Sequence, residues 1–114
     1  MLDRNRFNEN FVYLDKEVIV EIIDIFLGEY QDRFNKIQKN LSENDINQLR
    51  FNAHSLKGVI ANFMDPVTIE LSRLLDEKAK QNDTTDIQEL VDNLKQESES
   101  LAEELRVIRG ELTS

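Results

Sequence analysis

The segment Ala53-His54-Ser55-Leu56-Lys57-Gly58 contains the only histidine of the chain. On a helix, residues three and four positions further along lie one turn away on the same face. Lys57 and Gly58 would therefore flank the imidazole of His54. A nucleophilic nitrogen, a cation and an uncrowded patch of backbone are the features that a phosphohistidine requires.

The charge around His54 differs from that of the rest of the chain, whose formal net charge is −9. No acidic residue lies between Asp45 and Asp65, whereas Arg50 and Lys57 are both basic. An anionic group on His54 would be favoured in such surroundings. A half-buried helix that simply carries few charges explains the same pattern, and the sequence leaves both explanations open.

The orientation of His54 follows from the apolar stripe of its helix. Ala53, Leu56, Ile60 and Phe63 recur at helical spacing and should face the core. His54 lies about 100° around the helix from Ala53 and should project toward solvent. We expect its face to hold only polar or small residues, with no large apolar one: Asn47, Arg50, Lys57, Gly58 and Ala61.

Gly58 is unfavourable in a helix by about 1 kcal/mol relative to alanine. Nothing in the apolar stripe requires a glycine there, so we expect it to clear space beside His54 for a bulky partner. Close packing against a neighbouring helix, or a local kink, is the alternative.

Other chemistries find little support. The chain has no cysteine, and Ser55 points away from His54, so an oriented nucleophile and base are absent. One histidine without a carboxylate three or four residues further on supplies no metal site, and we predict none. Without a Gly-rich phosphate loop, autonomous kinase activity is not expected. Several carboxylates of the last helix indicate a solvent-exposed face: Glu97, Glu99, Glu103 and Glu104.

The chain of 114 residues has few glycines and prolines and a composition typical of helices. We predict a single domain over 1–114. Apolar stripes predict helices near 15–41, 44–63, 66–81 and 85–112, after a short N-terminal helix or packed arm. Asp15 and Asp65-Pro66 are expected helix starts, and Thr85 with Gln88 forms an expected capping box.

Four amphipathic helices with short connections predict an all-α, antiparallel up-down-up-down four-helix bundle. The regular heptads of the last helix leave a dimeric coiled coil as an alternative. The bundle is expected to be a monomer. The net charge argues against a nucleic-acid partner, and the absence of a long apolar run predicts no membrane span. The absence of cysteine favours a cytoplasmic protein.

The core segment resembles the histidine-containing phosphotransfer (Hpt) domain of bacterial multistep phosphorelays. That family has a histidine, an apolar residue at +2, lysine at +3 and glycine at +4, and His54, Leu56, Lys57 and Gly58 match. The resemblance covers essentially the whole chain. The sequence departs from the family at Val59 and Ile60, where small residues are common, and at Met64, where a glycine often ends the helix.

The resemblance implies that Nε2 of His54 takes a phosphoryl group from an aspartyl phosphate on a receiver domain and passes it to another receiver. Lys57 would offset charge on the phosphoryl oxygens. Mg²⁺ would belong to the receiver, and a hybrid sensor histidine kinase is a further expected partner. The docking face is expected to include Asn47, Arg50, Ser55, Lys57, Gly58, Ala61 and Asn62.

Two other functions remain open at this point. One is a helical adaptor or dimerisation module with an incidental histidine. The other is the phosphorylated domain of a chemotaxis-type kinase, which would need a long extension beyond Ser114. Solvent exposure of His54 beside Lys57 and Gly58 would favour phosphotransfer over the adaptor.

Overall fold

The chain forms five α-helices and one turn of 3-10 helix, and the computed structural model describes all 114 residues. The elements are α1 (Arg4–Asn10), α2 (Lys16–Ser42), α3 (Ile46–Ile60), the 3-10 turn (Ala61–Phe63), α4 (Pro66–Lys80) and α5 (Ile87–Thr113). No strand is present. The predicted all-α class, the four long helices and the short N-terminal helix are confirmed.

The four long helices form a closed ring in which α2 and α4 each contact both α3 and α5. Short connections make consecutive helices antiparallel, and the bundle measures 45 × 22 × 21 Å. The apolar stripe of α5 is buried within the chain, including Val91, Leu94, Leu101 and Leu105. The bundle therefore buries the apolar face of α5 that a dimeric coiled coil would have needed at its interface. No helix combines the length and apolar character that crossing a bilayer demands.

Apolar residues at steps of three and four explain why α2 and α3 pack against each other. Ile23, Phe26 and Tyr30 are buried on α2, where the rings of Phe26 and Tyr30 stack with centroids 5.4 Å apart. Phe63 meets Phe26 from the 3-10 turn with centroids 5.1 Å apart. The buried stripe of α3, which includes Ala53 and Leu56, sets the rotation of that helix and hence the direction in which His54 projects.

The end of α3 shows how the chain accommodates Met64. The predicted last turn of α3 tightens into the 3-10 turn, and Met64 then adopts a left-handed backbone with φ of 58°. This conformation is unfavourable for non-glycine residues by roughly 1 kcal/mol, which explains why a glycine often occupies this position in the family that the sequence resembles. Asp65 then caps α4 by accepting a hydrogen bond from the backbone N–H of Val67 at 3.1 Å.

The start of α5 differs from the prediction. Its N-cap is Asp86, which has a left-handed backbone, and the helix begins at Ile87. The backbone N–H of Thr85 instead donates to Asp83 Oδ1 at 3.0 Å. The predicted capping box of Thr85 and Gln88 is therefore wrong, because the Asp83 carboxylate organises this turn locally.

The N-terminal segment closes one end of the bundle. Leu2, Phe7 and Phe11 are buried. The backbone N–H of Asp3 donates to the Met64 carbonyl at 2.8 Å. This end of the bundle is thus tied to the turn that follows α3.

Candidate functional site

His54 lies near the middle of α3, between the buried residues Ala53 and Leu56 of the core stripe. Its own side chain is 68% exposed. The expected projection toward solvent is observed. Because the helix is packed along its other side, the imidazole stands on a fixed support.

Asp76 reaches His54 from the facing helix α4. Its Oδ1 lies 3.3 Å from Nδ1 of His54, and its side chain is only 3% exposed. Sequence reasoning missed this contact, because Asp76 stands 22 residues further along the chain. Asp76 follows Thr68 and Ser72 at steps of four along a buried polar row of α4, so no apolar pattern marks its position.

Burial raises the pKa of Asp76, but hydrogen bonds from Lys80 and Lys57 outweigh that effect, and the net pKa lies below its usual value. Asp76 is therefore ionised at neutral pH. A carboxylate can only accept a hydrogen bond, so the neutral ring of His54 places its hydrogen on Nδ1. Nε2 then carries the free lone pair.

Two lysines complete the cluster around Asp76. The Nζ atoms of Lys57 and Lys80 each lie 3.1 Å from Oδ2 of Asp76. The expectation that the surroundings of His54 are positive and free of acidic residues is therefore incomplete. Packing of α4 brings in one carboxylate and one further lysine, which leaves the cluster with a single net positive charge.

Gly58 lies exposed one turn after His54. A Cβ atom built on Gly58 would meet nothing within 4 Å, and α3 runs without interruption from Ile46 to Ile60. Close packing against a neighbouring helix therefore does not explain this glycine. It leaves open backbone beside the imidazole.

Phe51 contradicts the expectation that the exposed face around His54 lacks a large apolar residue. It lies three residues before His54, one turn away, and is 69% exposed. The signal was present in the sequence, because Phe51 falls outside the core stripe of α3. Phe51 also borders a groove of about 270 Å³ between α2 and α3.

Ser55 lies on the α2 side of α3. Its hydroxyl accepts a hydrogen bond of 2.8 Å from Nη1 of Arg33, which also binds Glu29 at 3.2 Å. This contact fixes α2 against the turn of α3 that carries His54. Ser55 is thereby directed away from Asp76.

The other predicted docking residues lie along the exposed side of α3 and the 3-10 turn: Asn47, Arg50, Ala61 and Asn62. At the rise per residue of an α-helix, the length along the axis from Asn47 to Ala61 is roughly 21 Å. His54 lies at the midpoint of this stretch. The Asn62 carbonyl accepts a hydrogen bond from the Asn10 side chain at 3.1 Å. No group of three or more His, Cys, Asp or Glu side chains is placed to hold a metal ion.

Comparison with known proteins agrees with this geometry. A family model described as the Hpt domain matches residues 21–108, which is most of the chain and includes the whole of α3 and α4. The chain belongs to the Hpt domain family. It therefore has a role in a histidine phosphotransfer relay, in which Hpt domains pass phosphoryl groups to receiver domains.

A solved structure supports the same fold for this Hpt domain. The crystal structure of histidine-containing phosphotransfer protein B from Pseudomonas aeruginosa PAO1 superposes with a TM-score of 0.87, over 96% of this chain and 95% of that one. The two sequences are 19% identical, so the likeness concerns the fold. No curated protein matches the sequence.

Proposed function

We propose that His54 is the phosphoacceptor of this Hpt domain. The supporting observation is the contact between Nδ1 and Asp76, which leaves Nε2 of an exposed ring as the free nucleophile. The ring is also the only imidazole in the chain. A histidine-based transfer therefore has one candidate residue.

In the accepting step, the Nε2 lone pair attacks the phosphorus of a receiver's aspartyl phosphate. The N–P bond forms as the O–P bond breaks, and the receiver's carboxylate leaves with the bonding electrons. Lys57 lies one turn from the ring and is 39% exposed, so its ammonium can turn toward the phosphoryl oxygens. Donation to a second receiver is the reverse step.

The proposed docking surface consists of Phe51, His54, Gly58 and the polar residues along the exposed side of α3. Phe51 offers apolar area, and Gly58 leaves room for close approach to the ring. A relay intermediate must release each partner, so we propose a small, transient interface. Receivers, one of them carried by a hybrid sensor histidine kinase, are the proposed partners.

The remaining chemistry is assigned to the partner. Mg²⁺ is proposed to sit on the receiver, since the carboxylates of this chain are not grouped for a metal. We also propose that the domain works as a cytoplasmic monomer without autonomous kinase activity. Its role is to present one nucleophile on a rigid helix.

The test is incubation of the purified domain with phosphorylated receivers, followed by detection of acid-labile phosphate. Wild-type protein should become labelled, and His54→Gln should not. Because His54 is exposed, His54→Gln should keep the thermal midpoint of the wild type. Labelling of His54→Gln would mean that another residue accepts the phosphoryl group and would contradict the proposal. Failure of every receiver to label the wild type would also contradict it and would favour a helical adaptor.

A further inference from the structure

Asp76 combines two properties that a simple hydrogen-bond acceptor does not need. It is nearly fully buried, and it carries a negative charge directed at the ring of His54. A charge acts more strongly at a buried position than in bulk water, because the effective dielectric constant is lower. A neutral amide could accept the same hydrogen bond without that field.

The charge matters most once the ring is phosphorylated. With the phosphoryl group on Nε2 and hydrogen retained on Nδ1, the ring carries a formal positive charge. That form is the better phosphoryl donor, because neutral imidazole leaves when the N–P bond breaks. If the Nδ1 hydrogen is lost to solvent, the leaving group is the far more basic imidazolide anion.

We propose that Asp76 is a positioning residue whose negative charge keeps phosphorylated His54 protonated on Nδ1, and so keeps the phosphoryl group transferable. The inference rests on the proposed function of His54. During donation, the receiver's carboxylate oxygen attacks phosphorus and the O–P bond forms. The N–P bond breaks, its electron pair returns to Nε2, and the Nδ1 hydrogen stays in place.

The other charged groups near the ring do not replace Asp76. Arg50 and Lys57 on α3 and Lys80 on α4 are all cations, and each would disfavour a positively charged ring. From α2, Arg33 is engaged by Ser55 and Glu29 on the other side of α3. Asp76 is therefore the one anion in contact with the imidazole.

The experiment compares wild type, Asp76→Asn and Asp76→Glu after phosphorylation of the full chain with phosphoramidate. Loss of phosphate to a receiver and to water is followed from about pH 6 to about pH 9, across the range in which imidazole titrates. The wild-type rate should stay nearly flat. The Asp76→Asn rate should fall by about tenfold per pH unit at the alkaline end, as expected for one lost proton.

Asp76→Glu restores the charge and should recover a flatter profile than Asp76→Asn. Asp24→Asn serves as a matched control, because it removes an exposed carboxylate that pairs with Arg109, away from α3. Circular dichroism checks that every variant is folded. If Asp76→Asn does not fold, the ¹⁵N shift of Nδ1 in the phosphorylated wild type decides the matter, and it should show a protonated nitrogen at about pH 8.

The inference would be overturned if wild type and Asp76→Asn had superimposable pH profiles, or if Nδ1 were unprotonated in the phosphorylated wild type. Either result would leave His54 as the phosphoacceptor. Absence of phosphate on His54 in the wild type would instead remove the proposed function itself. The two failures are therefore distinguishable.

Discussion

Lys57 and Lys80 bind the same oxygen of Asp76 from two different helices, each at 3.1 Å. Their side chains are 39% and 53% exposed. The carboxylate that they share is only 3% exposed, so it requires a cation beside it. Because two ammonium groups are present, one can leave Asp76 for a phosphoryl group while the other stays paired with it.

Replacing Lys57 by alanine should slow phosphoryl transfer to His54 by about three- to tenfold, because a charge-assisted hydrogen bond to the phosphoryl oxygens is lost. Lys80→Ala should have a smaller effect, since Lys80 lies on the neighbouring helix. Transfer rates from a phosphorylated receiver provide the measurement. Lys78→Ala is the control, because Lys78 binds Asp83 and the Thr85 carbonyl near the α4–α5 turn. Equal rates for Lys57→Ala and Lys78→Ala would argue against a role for Lys57.

Gly58→Ala should stabilise the bundle by up to about 1 kcal/mol, because alanine favours helix and the added methyl group meets no neighbour. Transfer from a receiver should nevertheless be slower, since the methyl group occupies space beside His54. Gly110→Ala offers a matched control on α5, where a Cβ also meets nothing within 4 Å. It should stabilise less, near the helix end, and leave transfer unchanged. If Gly58→Ala kept full transfer activity, transfer would not require open space at this position.

The helices could be predicted from the sequence because each apolar stripe is a local signal. The stripe through Leu49, Ala53, Leu56 and Ile60 fixes which side of α3 is buried, and the exposure of His54 follows from it. The contact with Asp76 could not be predicted, because it depends on how α4 is rotated and shifted along α3. Helical periodicity shows which face is buried and leaves that register undetermined.

Two local predictions failed for different reasons. The capping box at Thr85 was displaced by a competing carboxylate two residues earlier, a choice that short motifs do not resolve. Phe51 lies on the other flank of His54 from Lys57, outside the set of residues that helical spacing assigned to the docking face. A single exposed apolar residue is common on protein surfaces, so Phe51 bears on docking only through its position one turn from His54.

Phe51→Ser should weaken receiver binding by about tenfold, because a large exposed side chain beside His54 is expected to be buried in the complex. Stability should change little, since Phe51 is 69% exposed in the free domain. Val107→Ser is the control, because Val107 is an apolar residue on α5 with 59% exposure. NMR titration with a receiver gives both affinity and location. Shift changes centred on α5 instead of α3 would contradict the proposed docking surface.

The pH dependence of stability should also report on Asp76. Its pKa is lower in the folded protein than its usual value, because hydrogen bonds from Lys80 and Lys57 outweigh the opposing effect of burial. An unfolded aspartate has a pKa of about 3.9, so the ionised form stabilises the fold at any pH above that value. As the pH falls through the folded pKa, this contribution is lost. Thermal unfolding of wild type and Asp76→Asn from about pH 7 to about pH 2 should therefore show a stability difference that is constant above about pH 5 and shrinks below about pH 4.

The comparison cancels the effect of the other carboxylates whose pKa is lowered by ion pairs, such as Asp24 and Glu111, because both proteins contain them. A difference that stays constant down to about pH 2 would mean that the pKa of Asp76 is the same in the folded and unfolded protein, so that its contacts with Lys57 and Lys80 add no pH-dependent stability.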